Sequence, residues 1–550
     1  MREHRTVTPR TVTPRTVTPR TVSPRTGRAG VRRHRRLPLA TLAVAMGSGL
    51  VLSGCGVANS EDAAGGSAEG GTPETLRVVL QQEPPTLEPC EANLTSTGVV
   101  DRSTITEPLV ERNPSTGDLE PKLATEWSSE DDTTWTFTLR EGVTFHDGSE
   151  FTAEDAAHTI ERAVNSDLGC NVEGYVFGDD DLEVEVVDDT TLEVTAAQAD
   201  PILPLRLSFL EVVPAETSDT EKVREPIGTG PYQLDTWNPG QSIEVSAYGE
   251  YWGEAPAFPK AQYQWREESS VRAAMITSGE AEIATGLSPE DQIGELGVPY
   301  PNNETIALRM HAESEPFNDI RVRQAVNYAI DKEGIVASLY GGRDEVAAQL
   351  VPEGVVGHNE SLEGWPYDPE EAKRLVEEAQ ADGVDTSAPI SMIVRSAQFP
   401  RIEELGQVLQ EQLSQAGLNV NLKMMETSQH LTYQVRPFVE DEGAILHLTQ
   451  HGNQAGDAAF TVEQYMLSDG AQSAFGTEEF DQMIMEAGQQ SGEERAAAYE
   501  EVFAYQNEEV VQFAHLAHQT GMLGIADSVS YEPNSSSGDE LRLAEVTPAG

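Results

Sequence analysis

Two histidines near residue 450 have the spacing of side chains that act together. His447 and His451 lie four residues apart in the run HLTQHGNQAGDAAF, residues 447–460. In a strand, even spacing puts both imidazoles on one face. They could ligate a metal ion, or they could line a cleft or face solvent as ordinary hydrogen-bonding residues; we predict no bound metal. His146 and His311 are predicted to be surface or hydrogen-bonding residues.

The chain has no recognisable catalytic motif. It contains no Gly-x-Ser-x-Gly elbow, no His-Glu-x-x-His sequence and no zinc-type cysteine cluster. Carboxylate pairs carry little information in a protein with 93 acidic residues. Gly228-Thr229-Gly230 lacks the Lys-Ser/Thr of a phosphate loop and the third glycine of a dinucleotide turn. We therefore predict a tight chain crossing at this site and no enzyme activity.

The first 54 residues are predicted to be a targeting segment. Tandem Arg-Thr-Val-Thr/Ser-Pro repeats lie between Arg5 and Pro24, and a basic stretch precedes an apolar run from Leu37 to Leu52. The run ends in Leu-Ser-Gly before Cys55, a pattern that resembles a bacterial lipobox. We expect cleavage before Cys55 and lipidation of its thiol. The alternative is an ordinary signal peptide with an incidental cysteine.

The segment that follows Cys55 has the composition of a linker. Residues 56–73 are small, polar and rich in glycine, so they offer nothing to bury in a core. We predict a lipidated flexible tether over residues 55–73. Cys90 and Cys170 are the other two cysteines, and in an exported chain such a pair indicates a disulfide, with two free buried thiols as the alternative.

The chain is strongly acidic, with a formal net charge of −57. Eleven arginines and one glutamate lie before Cys55, so the remainder has 25 basic and 92 acidic residues, a net charge of about −67. Nucleic acid is excluded as a partner because phosphate binding needs clustered Lys and Arg. The acidity indicates either solubility in a salty environment or a preference for cationic ligands.

Hydrophobic periodicity predicts alternating strands and helices. Period-2 alternation indicates a strand at 134–139, and Thr152 has the features of a helix N-cap, with Asp155 three residues later. The pattern as a whole is typical of an α/β protein. Further predicted strands are 75–80, 182–187, 191–195, 280–284 and 419–424. Further predicted helices are 95–109, 271–279, 316–331, 368–381, 401–416 and 493–509.

Several short motifs occur in the order found in one protein family. They are LATEW (123–127), FHDGSEFTAEDA (145–156), VVPAE (212–216), IGTGPYQL (227–234), FNDIRVRQAVNYAID (317–331), YDPEEAKRLVEEA (367–379) and LGQVLQEQLSQAGLNV (405–420). The chain thereby resembles the family 5 extracellular solute-binding proteins of peptide-type ABC importers. The resemblance covers most of residues 74–525.

This resemblance implies a type II periplasmic-binding-protein clamshell, an α/β fold with an extra middle domain. Lobe I would take residues 74–111, 229–304 and 515–550. The extra domain would take 112–228, and lobe II would take 305–514.

The resemblance also implies a function. Such a monomer would capture a small peptide or related solute between its lobes, without a cofactor, and deliver it to ABC permease subunits. It would be anchored to the outer face of the cell membrane by the lipid on Cys55. A sugar or a metal chelate is an alternative ligand within the same transporter class, and an exported hydrolase is the alternative of a different class.

The resemblance implies a ligand-binding set composed of Ser96, Thr97, Gln450, His451, Asn453 and Asp457. Peptide-binding members carry a tryptophan at the position of Gln450 and an aspartate at that of Asn453. Asparagine brings no charge to pair with a peptide ammonium, whereas Asp457 would supply one if the loop were shifted.

Overall fold

The structure is a computed structural model that describes residues 74–92, 95–113, 116–178, 181–288, 290–291, 293–396, 398–439, 443–533 and 541–550. The predicted targeting segment (1–54), Cys55 and the tether (55–73) lie outside the described residues, as does the side chain of Ser96. All elements below belong to the unit Gly70–Gly550.

The strands, numbered in chain order, are β1 Thr75–Leu80, β2 Val110–Arg112, β3 Leu119–Pro121, β4 Ala124–Ser129, β5 Thr134–Leu139, β6 Glu183–Asp188, β7 Thr191–Thr195, β8 Tyr232–Asn238, β9 Ser242–Ala247, β10 Lys260–Trp265, β11 Ile283–Ala284, β12 Gly297–Met310, β13 Glu345–Val346, β14 Ile390–Arg395, β15 Val420–Met425, β16 Ala444–Gly452, β17 Phe513–Ile525, β18 Val529–Ser530 and β19 Thr547–Pro548.

The α-helices, also in chain order, are α1 Thr95–Asp101, α2 Ala153–Ile160, α3 Leu203–Leu207, α4 Ser269–Ser278, α5 Ile320–Ala329, α6 Lys332–Leu339, α7 Pro369–Ala381, α8 Ile402–Gln415, α9 Thr427–Gln434, α10 Ala459–Tyr465, α11 Glu478–Gly488 and α12 Gly492–Tyr505. A π-helical turn, Gln506–Val510, extends α12.

Local capping explains where several helices begin. The Thr152 hydroxyl accepts from the backbone N–H of Glu154, and Asp155 accepts from the Thr152 N–H, which completes a capping box. Asp319 and Asp368 cap α5 and α7 in the same way, by accepting from backbone N–H groups. The predicted N-cap at Thr152 is therefore confirmed.

The predicted helix 95–109 is wrong in its length, because α1 stops at Asp101. The carbonyl oxygen of Asp101 accepts from the backbone N–H groups of Thr104, Ile105 and Thr106 at 2.8–3.3 Å, which folds the chain into a turn. Ser103 has a φ of 54°, in the left-handed region. The β-branched residues that follow therefore lie in a turn and not in a helix.

The large sheet is built from two groups of parallel strands joined by two long antiparallel ones. Its order is β15-β14-β16-β12-β17-β11-β1-β10-β9-β8, and β13 pairs with β17. β14 is parallel to β15 and β16, and β1 is parallel to β10 and β11. We call these groups the β14 half and the β1 half. The crossing strands β12 and β17 belong to both.

The apolar faces of three amphipathic helices cover one face of the β14 half. Ile306, Leu308, Leu446 and Leu448 point from β12 and β16 into a core formed with α5, α7 and α8. Leu405, Leu409 and Leu413 of α8 recur at helical spacing and are fully buried there. This core packs the β14 half of the sheet against the three helices.

A smaller sheet, β4-β5-β7-β6, occupies part of the predicted extra domain. Its buried residues form one continuous core with residues from α10 to α12, and the rings of Phe209 and Phe460 lie 5.6 Å apart. Cys90 and Cys170 form a disulfide. The domain boundaries themselves stay a prediction.

Candidate functional site

The carboxyl ends of both parallel groups point to the same place on the crossing strands. β16 ends at Gly452, which pairs with Glu304 in the middle of β12. β11 ends at Ala284, which pairs with Gly524, and its direction leads toward the middle of β17. Ligands of open α/β sheets bind outside the carboxyl ends of strands, so this convergence marks the candidate site.

The pairing of the crossing strands is interrupted at this place. Pro301 pairs with Thr520, but the next pair is Thr305 with His518. Asn303 lies in the gap with a φ of 56°, and its carbonyl oxygen accepts from the backbone N–H of Asn453 at 2.8 Å. A short break in a long two-stranded ribbon is a point where two rigid halves can bend relative to each other.

Three polar side chains lie at this break, and we call them the hinge-edge set: Glu304, Gln450 and Gln519. All three are half-buried. Gln450 Nε2 donates to the carboxylate of Glu304 and to the amide oxygen of Gln519. The set therefore combines one carboxylate with two amide groups.

A buried arginine braces the strand ends of the β1 half. Arg272 donates to the carbonyl oxygens of Arg266 and Glu267 after β10, at 2.6 and 2.8 Å. It also donates to the carbonyl oxygens of Thr285, at 2.9 Å, and Gly286 after β11. Its guanidinium replaces strand pairing where the strands diverge, so the loops at this end are held in place.

Asn453 and His451 have internal partners. Asn453 Nδ2 donates to the carbonyl oxygens of Asn303 and Leu350, both at 3.1 Å, and its Oδ1 accepts from the Thr461 hydroxyl at 3.2 Å. His451 Nε2 lies 2.7 Å from the same hydroxyl, and burial lowers the pKa of His451 to about 4. Both side chains fix the loop after β16, and their predicted contact with ligand stays a prediction.

Asp457 is committed to an ion pair inside the protein. Its Oδ2 accepts from Arg495 Nε at 2.8 Å and its Oδ1 from Arg495 Nη2 at 2.9 Å. Oδ1 also accepts from the backbone N–H of Ala459. A ligand ammonium would have to compete with a bidentate guanidinium for this carboxylate.

The side chain of Thr97 points into the protein interior. It is fully buried, and its hydroxyl donates to the carbonyl oxygen of Thr86 at 3.2 Å. Gln450 is thus the member of the predicted set, among the side chains the structure describes, that remains half-exposed at the convergence of strand ends.

A layer of histidines lies against the face of β12, β16 and β17 opposite the helix-covered one. It contains His311, His430, His447, His451, His515 and His518, and burial lowers the pKa of each. His447 packs against the ring of His430 at 4.5 Å. Even spacing predicted one shared face for His447 and His451, and both are buried, which excludes the solvent-facing alternative.

The side chain of Arg309 is buried in this layer, and it has no carboxylate partner among the described residues. It donates to the carbonyl oxygens of Tyr433, Gln434 and Gln472, which pins the segment after α9 to the sheet. Burial lowers the pKa of Arg309 to about 10. No group of three or more His, Cys, Asp or Glu among the described residues has the geometry to hold a metal ion.

The two remaining histidine predictions have opposite outcomes. His146 Nε2 lies 2.9 Å from the carbonyl oxygen of Gly230, as expected of a hydrogen-bonding residue. His311 is buried against the ring of Phe438 at 4.8 Å, so the surface alternative of its prediction is wrong.

The chain crossing at Gly228 and Gly230 is tight, since a Cβ on either would lie 2.0–2.5 Å from backbone oxygens.

The chain is similar to known binding proteins. A family model described as bacterial extracellular solute-binding proteins, family 5 Middle, matches residues 118–473. The glutathione-binding protein GsiB of Salmonella typhi is 29% identical over 356 residues, which cover 62% of this chain and 67% of that protein. The dipeptide-binding protein of Escherichia coli (strain K12) is 28% identical over 357 residues, covering 59% and 66%.

A solved structure gives the same picture of the fold. The periplasmic binding protein DppA from Helicobacter pylori, in complex with the peptide STSA, matches with a TM-score of 0.75 and 20% identity, over 86% of this chain and 98% of that one. None of the helices in the described ranges has both the length and the apolar character to cross a membrane.

Proposed function

The chain belongs to the bacterial extracellular solute-binding proteins of family 5, and on this premise we propose that it captures a small peptide outside the cytoplasm for an ABC importer. It is a binding protein and not an enzyme. The observation that carries the proposal is the convergence of two sets of strand ends on the break in the crossing strands.

This geometry suits capture by closure. The β14 half and the β1 half are each rigid, whereas the break between Pro301 and Thr305 leaves little pairing to resist bending. Closing the two halves on a solute would exclude water from the hinge-edge set. Hydrogen bonds and ion pairs to the solute then strengthen, because the local dielectric constant falls.

The relatives favour a peptide as the solute, since two of them are named for glutathione and a dipeptide. A short peptide can pair its backbone with strand ends while its side chains occupy wet pockets. Half-buried amide groups such as Gln450 and Gln519 can donate to and accept from a peptide backbone without imposing a sequence.

The remaining expectations extend this proposal. The lobes would be 74–111 with 229–304 and 515–550, and 305–514, with residues 112–228 as the extra domain. The protein would act as a monomer that presents its loaded form to permease subunits. Cys55 would carry the lipid that keeps it at the outer face of the membrane.

Calorimetric titration of the purified chain tests the proposed function. Di- and tripeptides and glutathione are added, and mass spectrometry then identifies the recovered ligand. We expect saturable binding at one site and a ligand of unchanged mass. A reaction product, or the absence of binding by every peptide together with tight binding of a sugar, would contradict the proposal.

A further inference from the structure

We propose that Asp101 is a buried proton-binding site: its carboxyl group keeps a proton in the folded protein at neutral pH and donates it to the hydroxyl of Thr106. Asp101 is the last residue of α1, and Thr106 lies at the end of the turn that follows. The Thr106 hydroxyl in turn donates to Glu211, in the segment after α3. The site lies apart from the hinge-edge set and does not depend on the identity of the solute.

A single hydroxyl lies between two carboxyl groups in this site. Thr106 Oγ1 is 3.1 Å from Asp101 Oδ2 and 3.0 Å from Glu211 Oε2. A hydroxyl has one proton to donate, and an ionised carboxylate has none. If both carboxyls were ionised, the hydroxyl could donate to only one of them, and the other contact would bring two oxygens together without a proton between them. A second proton is therefore needed, and one of the two carboxyls must carry it.

The surroundings decide which carboxyl holds that proton. Glu211 Oε1 accepts from Arg102 Nε at 3.2 Å, and this adjacent cation favours the ionised form of Glu211. Asp101 forms no ion pair within the described residues, and its Oδ1 has no hydrogen-bond partner there. Asp101 is also fully buried, so solvent does not stabilise a charge on it. An ionised carboxylate in this position would be costly, whereas a neutral carboxyl costs much less.

The net effect of the neighbouring groups favours the neutral form of Asp101. Burial raises the pKa of Asp101 well above its usual range, and the negative charges of Glu211 and Glu88 raise it further. A hydrogen bond and the charge of Arg102 oppose this rise without cancelling it. The nearby guanidinium of Arg162 is committed to Glu88, in a buried bidentate pair at 2.7 and 3.0 Å. Asp101 therefore has no second cation to stabilise its charge.

The proton holds the end of α1 against residues 208–212. Arg102 Nη2 donates to the carbonyl oxygen of Ser208 at 3.4 Å, and the backbone N–H of Val212 donates to the carbonyl oxygen of Glu107 at 3.0 Å. Ionisation of Asp101 would place a second negative charge at this junction. The folded chain keeps the proton above pH 4, where the unfolded chain has released it. The free energy of unfolding therefore decreases as pH rises from about 4 to the raised pKa of Asp101.

Infrared spectroscopy of the purified full chain tests the protonation directly. At about pH 7.5, carboxyls with ordinary pKa values near 4 are ionised. We expect wild-type protein to show the C=O stretching band of a protonated carboxyl, and Asp101→Asn to lack it. Asp344→Asn is the matched control: burial raises the pKa of Asp344 to about 6, so this group is ionised as well and its replacement should leave the band unchanged. Absence of the band from wild-type protein, or its survival in Asp101→Asn, contradicts the proposal.

A second pair of variants tests the contact with Thr106. Thr106→Val removes the acceptor of the proposed O–H group, so the band should shift in frequency, whereas Thr106→Ser keeps the hydroxyl and should leave the band in place. An unchanged band in Thr106→Val contradicts the contact. The wild-type spectrum and these two variants decide the question even if Asp101→Asn does not fold.

Urea unfolding at several values between pH 5 and 7 measures the linkage to stability. The unfolding constant of wild-type protein should rise about tenfold per pH unit relative to that of Asp101→Asn, whose amide can donate to Thr106 at every pH. The ratio cancels the contribution of the histidine layer, which both proteins share. Equal pH dependence of the two proteins contradicts the proposal. None of these measurements involves a ligand, so their outcome is independent of the proposed function.

Discussion

Arg495 of α12 holds Asp457 in a bidentate ion pair, with N–O distances of 2.8 and 2.9 Å, and both side chains are buried. The pair ties the loop after β16 to a helix 38 residues later in the chain. Arg495 also donates to the carbonyl oxygen of Gly488 at 2.8 Å, so α11 and α12 are joined at the same point. The ion pair between Asp457 and Arg495 therefore fixes the position of the loop that carries Asn453.

Replacing Asp457 by Asn should destabilise the protein strongly. A buried guanidinium that loses its carboxylate typically costs about 3–5 kcal/mol, because its desolvation is no longer offset. Urea unfolding followed by circular dichroism measures the loss. Glu371→Gln, which breaks the exposed pair with Arg374, should change stability little, and equal effects of the two changes would contradict this account.

The histidine layer should make the free energy of unfolding decrease at acidic pH. The pKa of His447 is held well below its ordinary value by burial and by the nearby charges of Arg309, His430 and His311. The unfolded chain takes up a proton near pH 6.5 and the folded one does not, so stability is complete above pH 6.5 and falls as pH decreases below it. His447→Gln should reduce this slope by about 1.4 kcal/mol per pH unit. Parallel profiles for variant and wild type between pH 4 and 6 would contradict it.

Lys332 should lower stability at neutral pH. Burial lowers its pKa to about 8, from 10.5 in an unfolded chain. The charged form is therefore disfavoured by about 3 kcal/mol below pH 8, and this penalty decreases as pH rises from 8 to 10.5. We expect Lys332→Met to raise the unfolding free energy at pH 7 by up to this amount. Lys373→Met on the exposed face of α7 should not, and a destabilised Lys332→Met protein would count against the explanation.

The disulfide between Cys90 and Cys170 should stabilise the protein by lowering the conformational entropy of the unfolded chain. It closes a loop of 80 residues, and loss of such a link typically costs about 2–4 kcal/mol. Cys90→Ser should lower the melting temperature and expose Cys170 to a thiol reagent, located by peptide mapping. Labelling of Cys170 in the native wild-type protein would contradict the pairing.

The lipid anchor is tested separately from the fold. Cys55 begins the predicted tether, whose small polar residues offer nothing to bury, so we expect Cys55→Ala to leave folding intact and to release the protein from membranes. Cell fractionation with antibody detection measures the distribution. Retention of the variant in the membrane fraction would contradict lipidation at this cysteine.

Signals that act within a few residues were readable from the sequence. Thr152 with Asp155, and Asp368 before α7, mark helix starts because an N-cap depends only on neighbouring backbone groups. The strand 134–139 has the same bounds in the structure as in the prediction. Alternating side chains at this spacing fit a half-buried sheet regardless of what lies further away in the chain.

Long-range partners were not readable in this way. Nothing near Asp457 indicates that Arg495 neutralises it, and nothing near Glu304 indicates that it lies opposite Gly452. Even spacing predicted that His447 and His451 share a face, whereas the burial of that face depends on tertiary packing, including α9 against the sheet. Such contacts depend on strand order, which local periodicity does not encode.

The position of β17 constrains how the protein can be made. It lies between β12 and β11 in the large sheet, yet it is the last long strand to leave the ribosome. Until residues 513–525 emerge, both neighbours present unpaired edges that can pair with other chains. The middle of the sheet is therefore completed only after these residues emerge, and deleting residues 511–550 would remove this central strand.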